Sequence, residues 1–546
     1  MGDMNQAVQD LGVEFWDWRI VSGYRSPDDV PRLELNPDWT PQFDADSARR
    51  RLEKAADFRR RWEDLDVSRE AVPTQVDYRL IGSAISRVEW ETGVLRSWER
   101  DAVMQVHQAL GTYFDSLLPP PPFLADRQDG IIHQLSMVGP QLQVALDNLA
   151  RAGTSALAGS AIRLLRAIDT ALPKSIEEVS GFFDASRRRA LAKAGADATE
   201  HLVSFREWLR EHQAGMAAPE PVGRERFMWY LRNVALLPLQ PEEMVLLAQR
   251  ELYYNYAWEE VERNRYGDTP VPDRFPTAEA QCEQQARDEQ AVREFYENEN
   301  LLTQPESLRR YLTAPLPEYV QPLNWLGVAN DLTSDQRLDE DAYTYVWDPN
   351  RPLSYFYEAN ARDPRLGIMH EGVHYKQLAL SWANPNPLRR RYYDSVSNEG
   401  LAHYNESLML QAGLFDDAPW SRLVTQNFKR LRSLRTVVDV SLATGAITLE
   451  EGMKMFEELV PVDPQTALEE TSMYVSNPGL AMAYMVGKLE VIRLLADAKK
   501  QLGDEFSLRW FHDHLWSNGN VPISLLRWEM LDDPSDIEAI DSAAGS

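Results

Sequence analysis

Residues 368–377 read Ile368-Met369-His370-Glu371-Gly372-Val373-His374-Tyr375-Lys376-Gln377. Two histidines four apart meet only on a helix, where 3.6 residues per turn sets one above the other. Their imidazole nitrogens can then share one Zn²⁺ at about 2.0–2.1 Å. The flanks predict that helix: Asp363 suits an N-cap, Pro364 the first helical position, and Asn384-Pro385 a stop, giving Pro364 to Trp382. Glu371 falls beside the histidine face, where a carboxylate can accept a proton from water without competing as a ligand. With nine histidines in 546 residues, chance placement accounts for only about 0.01 such motifs.

A zinc held by two histidines needs a third protein ligand and an open position if it is to act on a substrate. Downstream runs Ser397-Asn398-Glu399-Gly400-Leu401-Ala402-His403-Tyr404-Asn405-Glu406. Ser397 or Asn398 is expected to cap a helix with Glu399 in its first turn. Glu399, His403 and Glu406 then share one face at i, i+4 and i+7. Glu399 is the favoured ligand, and His403 and Glu406 are expected to orient His370 or His374 from behind. His403 as ligand is the competing assignment, and a hydrogen-bonded core histidine is the plain alternative. His512 and His514, two apart, point away from each other on a helix and are not expected to form a joint site.

Outward from the motif the chain reads as mainly α. Helices are predicted over Ser47 to Leu65, Gln75 to Asp101, Gly130 to Ala152, Ser186 to His212 and Pro241 to Arg265, with apolar residues recurring at three and four. After the motif they resume over Ser397 to Gln411, Trp420 to Thr444, Leu449 to Leu459 and Gly479 to Leu502. Aromatic-rich Ala342 to Asp348 and Ser354 to Ala359, parted by Pro349-Asn350-Arg351-Pro352, are expected to be two short strands. Residues 1–323 read as a helical scaffold half and 324–546 as the metal-binding half of one compact unit. No internal repeat or low-complexity segment is evident.

Composition narrows the partners. With 44% apolar and 26% charged residues the chain is globular in type. Its 85 acidic against 57 basic side chains, net −28, repel a phosphate backbone and an anionic membrane surface. Cys282 is the one cysteine, so a metal must use histidine and carboxylate. The first thirty residues lack the pattern of a signal peptide, and no apolar run approaches a membrane span, so a cytoplasmic location is expected.

Three blocks carry a family resemblance: Ile368 to Gln377, Asn398 to Glu406, and the run from Asn477 to Leu526 with Asn477-Pro478-Gly479-Leu480-Ala481-Met482-Ala483-Tyr484. The sequence resembles the bacterial domain of unknown function 885 and, more distantly, helical gluzincin peptidases such as thimet oligopeptidase and angiotensin-converting enzyme. The resemblance implies a helical fold with a deep channel and a metal on its floor. It supports His370, Glu371, His374 and Glu399, and implies that Tyr484 stands near a developing oxyanion, although a tyrosine on an apolar helix can also be core. Many members of that family carry a Pro-Gly insertion within the H-E motif, whereas this sequence keeps the shorter form. Ala443 stands where the family commonly has histidine, so a substrate role of that histidine is absent here.

These readings lead to a zinc-dependent hydrolase acting on a peptide or small amide, with Glu371 as base and Tyr484 as oxyanion donor. An extended substrate is expected to pair with the strand Ala342 to Asp348. The rivals are a non-peptide amide or ester hydrolase, and a helical protein whose metal site is inactive.

Overall fold

The three-and-four spacing of apolar residues is realised as helix through most of the computed structural model, which describes residues 2–25, 36–460, 462 and 464–544. Helices Ala45–Glu63, Ala125–Ala152, Ala185–His212, Pro241–Tyr266, Pro419–Thr444 and Leu449–Leu459 lie within a few residues of their predicted bounds. Side-chain caps fix several starts: Asp44 accepts from the Ser47 amide, and Thr448 and Glu451 form a reciprocal capping box. The helix expected over Gln75 to Asp101 is interrupted. Val72–Glu89 is α, Trp90–Leu95 widens to a π turn, and Arg96 turns left-handed at φ 53°. Asp101 is a cap rather than an interior residue, since its carboxylate accepts from the amides of Val103 and Met104 and starts helix Ala102–Leu117.

Helices Gly2–Ser22 and Ala278–Asn298, 21 residues each, and several shorter ones are not foreseen in the sequence. Phe15 of that first helix packs in one apolar cluster with Phe58 and Ile85, and with Met369, Val373, Leu401 and Trp516 from the other end of the chain. A second cluster, including Leu110, Leu135 and Leu202, is built mostly from residues 43–209.

The sheet has three strands in the order β1-β3-β2: Tyr311–Pro315, Ala342–Val346 and Asn330–Asp331. Strand β3 is the predicted Ala342 strand, parallel to β1 and antiparallel to β2. Both its edges are taken at Tyr343–Tyr345, which leaves no free edge there for the extended substrate expected beside it. The outer edge of β1 is closed as well. Gln285, on helix Ala278–Asn298, donates to the Tyr311 carbonyl at 2.9 Å and accepts from the Thr313 amide at 3.1 Å. The second expected strand is instead helix Tyr355–Asn360. Its aromatic residues face a helix rather than a pleated sheet: the rings of Tyr355 and Phe356 pack on Phe428 at 5.3 and 5.0 Å, and Glu358 accepts from Arg362 one turn on.

Candidate metal centre

The motif segment is two helices, not the single one expected over Pro364 to Trp382. Arg365–Ile368 forms one turn and Glu371–Trp382 follows, with His370 at the junction at φ −112°, ψ −69°. Asp363 does accept from the Arg365 amide at 3.1 Å, as a cap would. The break is held from outside, because the Asn405 side-chain amide donates to the Met369 carbonyl at 2.8 Å and accepts from the Tyr296 hydroxyl at 2.8 Å.

Glu399 stands on helix Ser395–Ala412, which starts two residues earlier than predicted. Asp394, rather than Ser397 or Asn398, is its cap, accepting from the Val396 amide. The same carboxylate meets Arg87 at 2.7 Å, both side chains being buried. Asn398 is left to brace the motif helix, donating to Gln377 at 2.9 Å.

His370 Nε2 and His374 Nε2 each lie 3.4 Å from Oε2 of Glu399. Ligands about 2.0–2.1 Å from a tetrahedral Zn²⁺ stand about 3.4 Å apart. Oε2 is buried with no hydrogen-bond donor, an acceptor awaiting a cation. Among the described residues, these three form the group of His, Cys, Asp or Glu whose donor atoms all lie within 4.8 Å of one another. Three protein donors leave a position open, as catalytic zinc sites do. Burial pushes the Glu399 carboxyl up, but the His374 and His370 charges beside it hold it well below the usual range. A divalent cation fits this donor set by replacing the protons these groups otherwise share.

Behind His370 lies a carboxylate. Glu406 Oε1 is 2.8 Å from His370 Nδ1 and the Arg432 guanidinium 3.2 Å from the same nitrogen; with Nε2 turned to the cluster, a proton on Nδ1 would face that Glu406 oxygen. Arg432, on helix Pro419–Thr444, approaches the same oxygen at 2.7 Å. Burial and the Arg432 charge push the His370 imidazole down, but Glu406 and Glu399 outweigh them and raise it to about 9. His403 does not reach either motif histidine as expected; its Nδ1 meets the other Glu406 oxygen at 2.9 Å, and burial lowers it to about 3. Arg432 and Asn405 escaped the sequence reading. Asn405 sits inside the Glu399 block and could have been weighed there, whereas Arg432 had no motif around it.

Tyr484 belongs to helix Met482–Leu502, and its hydroxyl donates to Glu399 Oε1 at 3.0 Å. Its ring stacks near His370 at 6.2 Å, with the Arg435 guanidinium 5.1 Å from its centre. Two glycines allow this approach. A Cβ on Gly400 would stand 2.4 Å from the Gly487 Cα, and one on Gly487 would stand 2.1 Å from the Val396 carbonyl oxygen. The helices bearing Glu399 and Tyr484 therefore touch backbone to backbone. Buried Asp439 fixes the start of the second by accepting from the amides of Gly479 and Met482, at 3.0 and 2.8 Å.

Glu371 opens the motif helix and is half-buried. The Tyr311 ring packs on the adjoining Gly372. Burial, and then the Glu371 charge, pushes the Tyr357 phenol up to about 12 and Tyr311 well above its ordinary value. His512 lies apart from the centre, donating from Nδ1 to the Leu301 carbonyl at 2.7 Å and accepting at Nε2 from Tyr404 at 2.8 Å. His514 is not in the metal group either.

Two solved structures share the fold. One, titled as a "putative lipoprotein of unknown function" from Shewanella oneidensis, aligns at a TM-score of 0.71 and 15% identity, covering 97% of this chain and all of that one. The other, titled as a "putative lipoprotein" from Colwellia psychrerythraea, aligns at 0.71 and 13% identity over 99% of both chains. No curated protein matches the chain significantly. The model of a bacterial protein family of unknown function matches residues 34–530, and on that match this chain belongs to the family DUF885.

Proposed function

We propose that the chain is a zinc-dependent hydrolase of the helical gluzincin kind, cleaving peptide amide bonds. The observation that carries the reading is the undonated Oε2 of Glu399, equidistant at 3.4 Å from the Nε2 atoms of His370 and His374. Those three residues would hold the ion, and what Zn²⁺ supplies when bound is carbonyl polarisation and a lowered water pKa. Glu371 takes a proton from the attacking water and returns it to the leaving amine. The Tyr484 hydroxyl, now donating to Glu399 Oε1, turns to the oxygen on which negative charge develops. Glu406 fixes the His370 tautomer that frees Nε2.

The test pairs metal analysis with a peptide-library digest read by mass spectrometry. The parent is expected to carry one zinc and cleave. Glu371→Gln keeps the metal, because Glu371 is outside the ligand group, and loses about 10²–10⁴ in turnover. A zinc-loaded parent that cleaves no peptide would refute the peptidase reading, and zinc lost from Glu371→Gln would refute its place outside the ligands.

Location is tested separately. Among the described residues no helix is long and apolar enough to cross a membrane. The sequence points to the cytoplasm, whereas the two solved neighbours are titled as putative lipoproteins. Cell fractionation with an antibody to the chain decides between them.

A further inference from the structure

In a continuous α-helix the Met369 carbonyl would accept from the amide of Val373, one turn on. Here the Val373 amide turns to the His370 carbonyl at 3.0 Å, and the His374 amide reaches that same oxygen at 3.4 Å. The Met369 carbonyl has changed partner and accepts from the Asn405 side chain at 2.8 Å. A carbonyl can only accept, so the amide nitrogen of Asn405 must face it and the amide oxygen must look the other way. That oxygen accepts from the Tyr296 hydroxyl at 2.8 Å. The Tyr296 ring in turn lies under the Lys376 ammonium at 4.1 Å. Lys376 belongs to helix Glu371–Trp382, beyond the break, so Asn405 and Tyr296 clamp the chain on both sides of it. Met369, Lys376, Asn405 and Tyr296 are all buried.

We infer that Asn405 is a positioning residue of the metal centre: its amide, oriented by Tyr296, holds the helix broken at His370 and so sets where the Nε2 atom of His370 meets Glu399 and His374. The inference rests on the metal reading proposed above. At the break the His370 φ is −112°, where a regular helix has about −63°. A rotation of that size about N–Cα swings the imidazole with it. The 3.4 Å spacings from Glu399 Oε2 to both imidazoles exist with the rotation in place.

Asn405 and Glu399 share helix Ser395–Ala412. One rigid element therefore supplies the third ligand and sets the backbone beside the first. Glu406, next to Asn405, reaches the His370 ring at 2.8 Å, so backbone and ring are held from a single turn. His374 has no such hold: its Nδ1 is buried with no hydrogen-bond partner among the described residues.

Zinc competition against a chelator of known affinity, on the full-length protein, tests this. Asn405→Leu keeps much of the volume without a donor and is expected to bind zinc about 10–100-fold more weakly. Tyr296→Phe leaves the Asn405 amide free to turn over and is expected to lose a smaller factor; it carries the test should Asn405→Leu not fold. Tyr404→Phe is the control, because it removes a buried hydrogen bond beside Asn405 whose partner is His512, away from the centre. It is expected to lower the urea midpoint and keep parental zinc affinity. With Co²⁺ in place of zinc, the visible absorption bands should change in Asn405→Leu and Tyr296→Phe and stay parental in Tyr404→Phe. A zinc-loaded parent whose Asn405 and Tyr296 variants keep its affinity and cobalt spectrum would overturn the positioning role alone. Equal losses in Tyr404→Phe would overturn it too, reducing Asn405 to a stability residue. A parent that takes up no zinc would overturn the metal reading and this inference with it.

Discussion

At the scale of single residues, the motif points to the side chains that gather at the cluster but not to what stands behind them. His370, His374 and Glu399 were legible because metal chemistry restricts residue type and spacing. The division of labour between His403 and Glu406 was not, since it depends on side-chain direction across helices. Glu406 meets His370 directly and balances Arg432, whereas the polar partner of His403 among the described residues is Glu406. Glu406→Gln is therefore expected to lower zinc affinity about 10–100-fold, leaving the Arg432 charge facing His370 unpaired. His403→Ala should cost less. Competition with a chelator of known affinity measures both, and the reverse ranking would move His403 into the metal's own shell.

Among elements, the apolar periodicity was legible at Ala185–His212 and Leu449–Leu459, though not at Gly2–Ser22 or Ala278–Asn298. Short aromatic segments were not. Tyr355 and Phe356 have the composition of a strand, yet a neighbouring phenylalanine on another helix decides their conformation. The break at His370 was hidden for a similar reason, because the group that holds it open, Asn405, lies on a different helix. Glycine spacing carried a signal that periodicity alone does not reveal: Gly400 and Gly487 bring two helices into backbone contact. In Gly487→Ala the new methyl would meet the Val396 carbonyl, and helices this tightly placed must separate. A loss of about 1–3 kcal/mol is expected, together with a longer Tyr484–Glu399 distance. Chemical denaturation gives the first and a crystal structure of the variant the second; an unmoved helix pair with parental stability would contradict the packing argument.

For the whole molecule, burial of neutral histidine links stability to pH. Burial lowers His512 to about 4, below the value of about 6.5 for an unfolded chain. Between those values the unfolded chain binds more protons, so stability falls as the pH drops from about 6.5 to 4, by at most about 1.4 kcal/mol per pH unit from this residue. Urea midpoints for the parent and His512→Asn, taken at neutral and mildly acid pH, check this; the variant should show the shallower fall, and parallel curves would remove His512 as a cause. The buried pair of Arg87 and Asp394 has a different consequence, concerning time. The helix that carries Glu399 is capped by a residue whose partner was synthesised some three hundred positions earlier, and Tyr484 comes later still. During translation the two motif histidines emerge well before the groups that complete their surroundings. If the proposed zinc is held here, its full loading would follow the meeting of Arg87 with Asp394 and so report that distant parts of the chain have found each other.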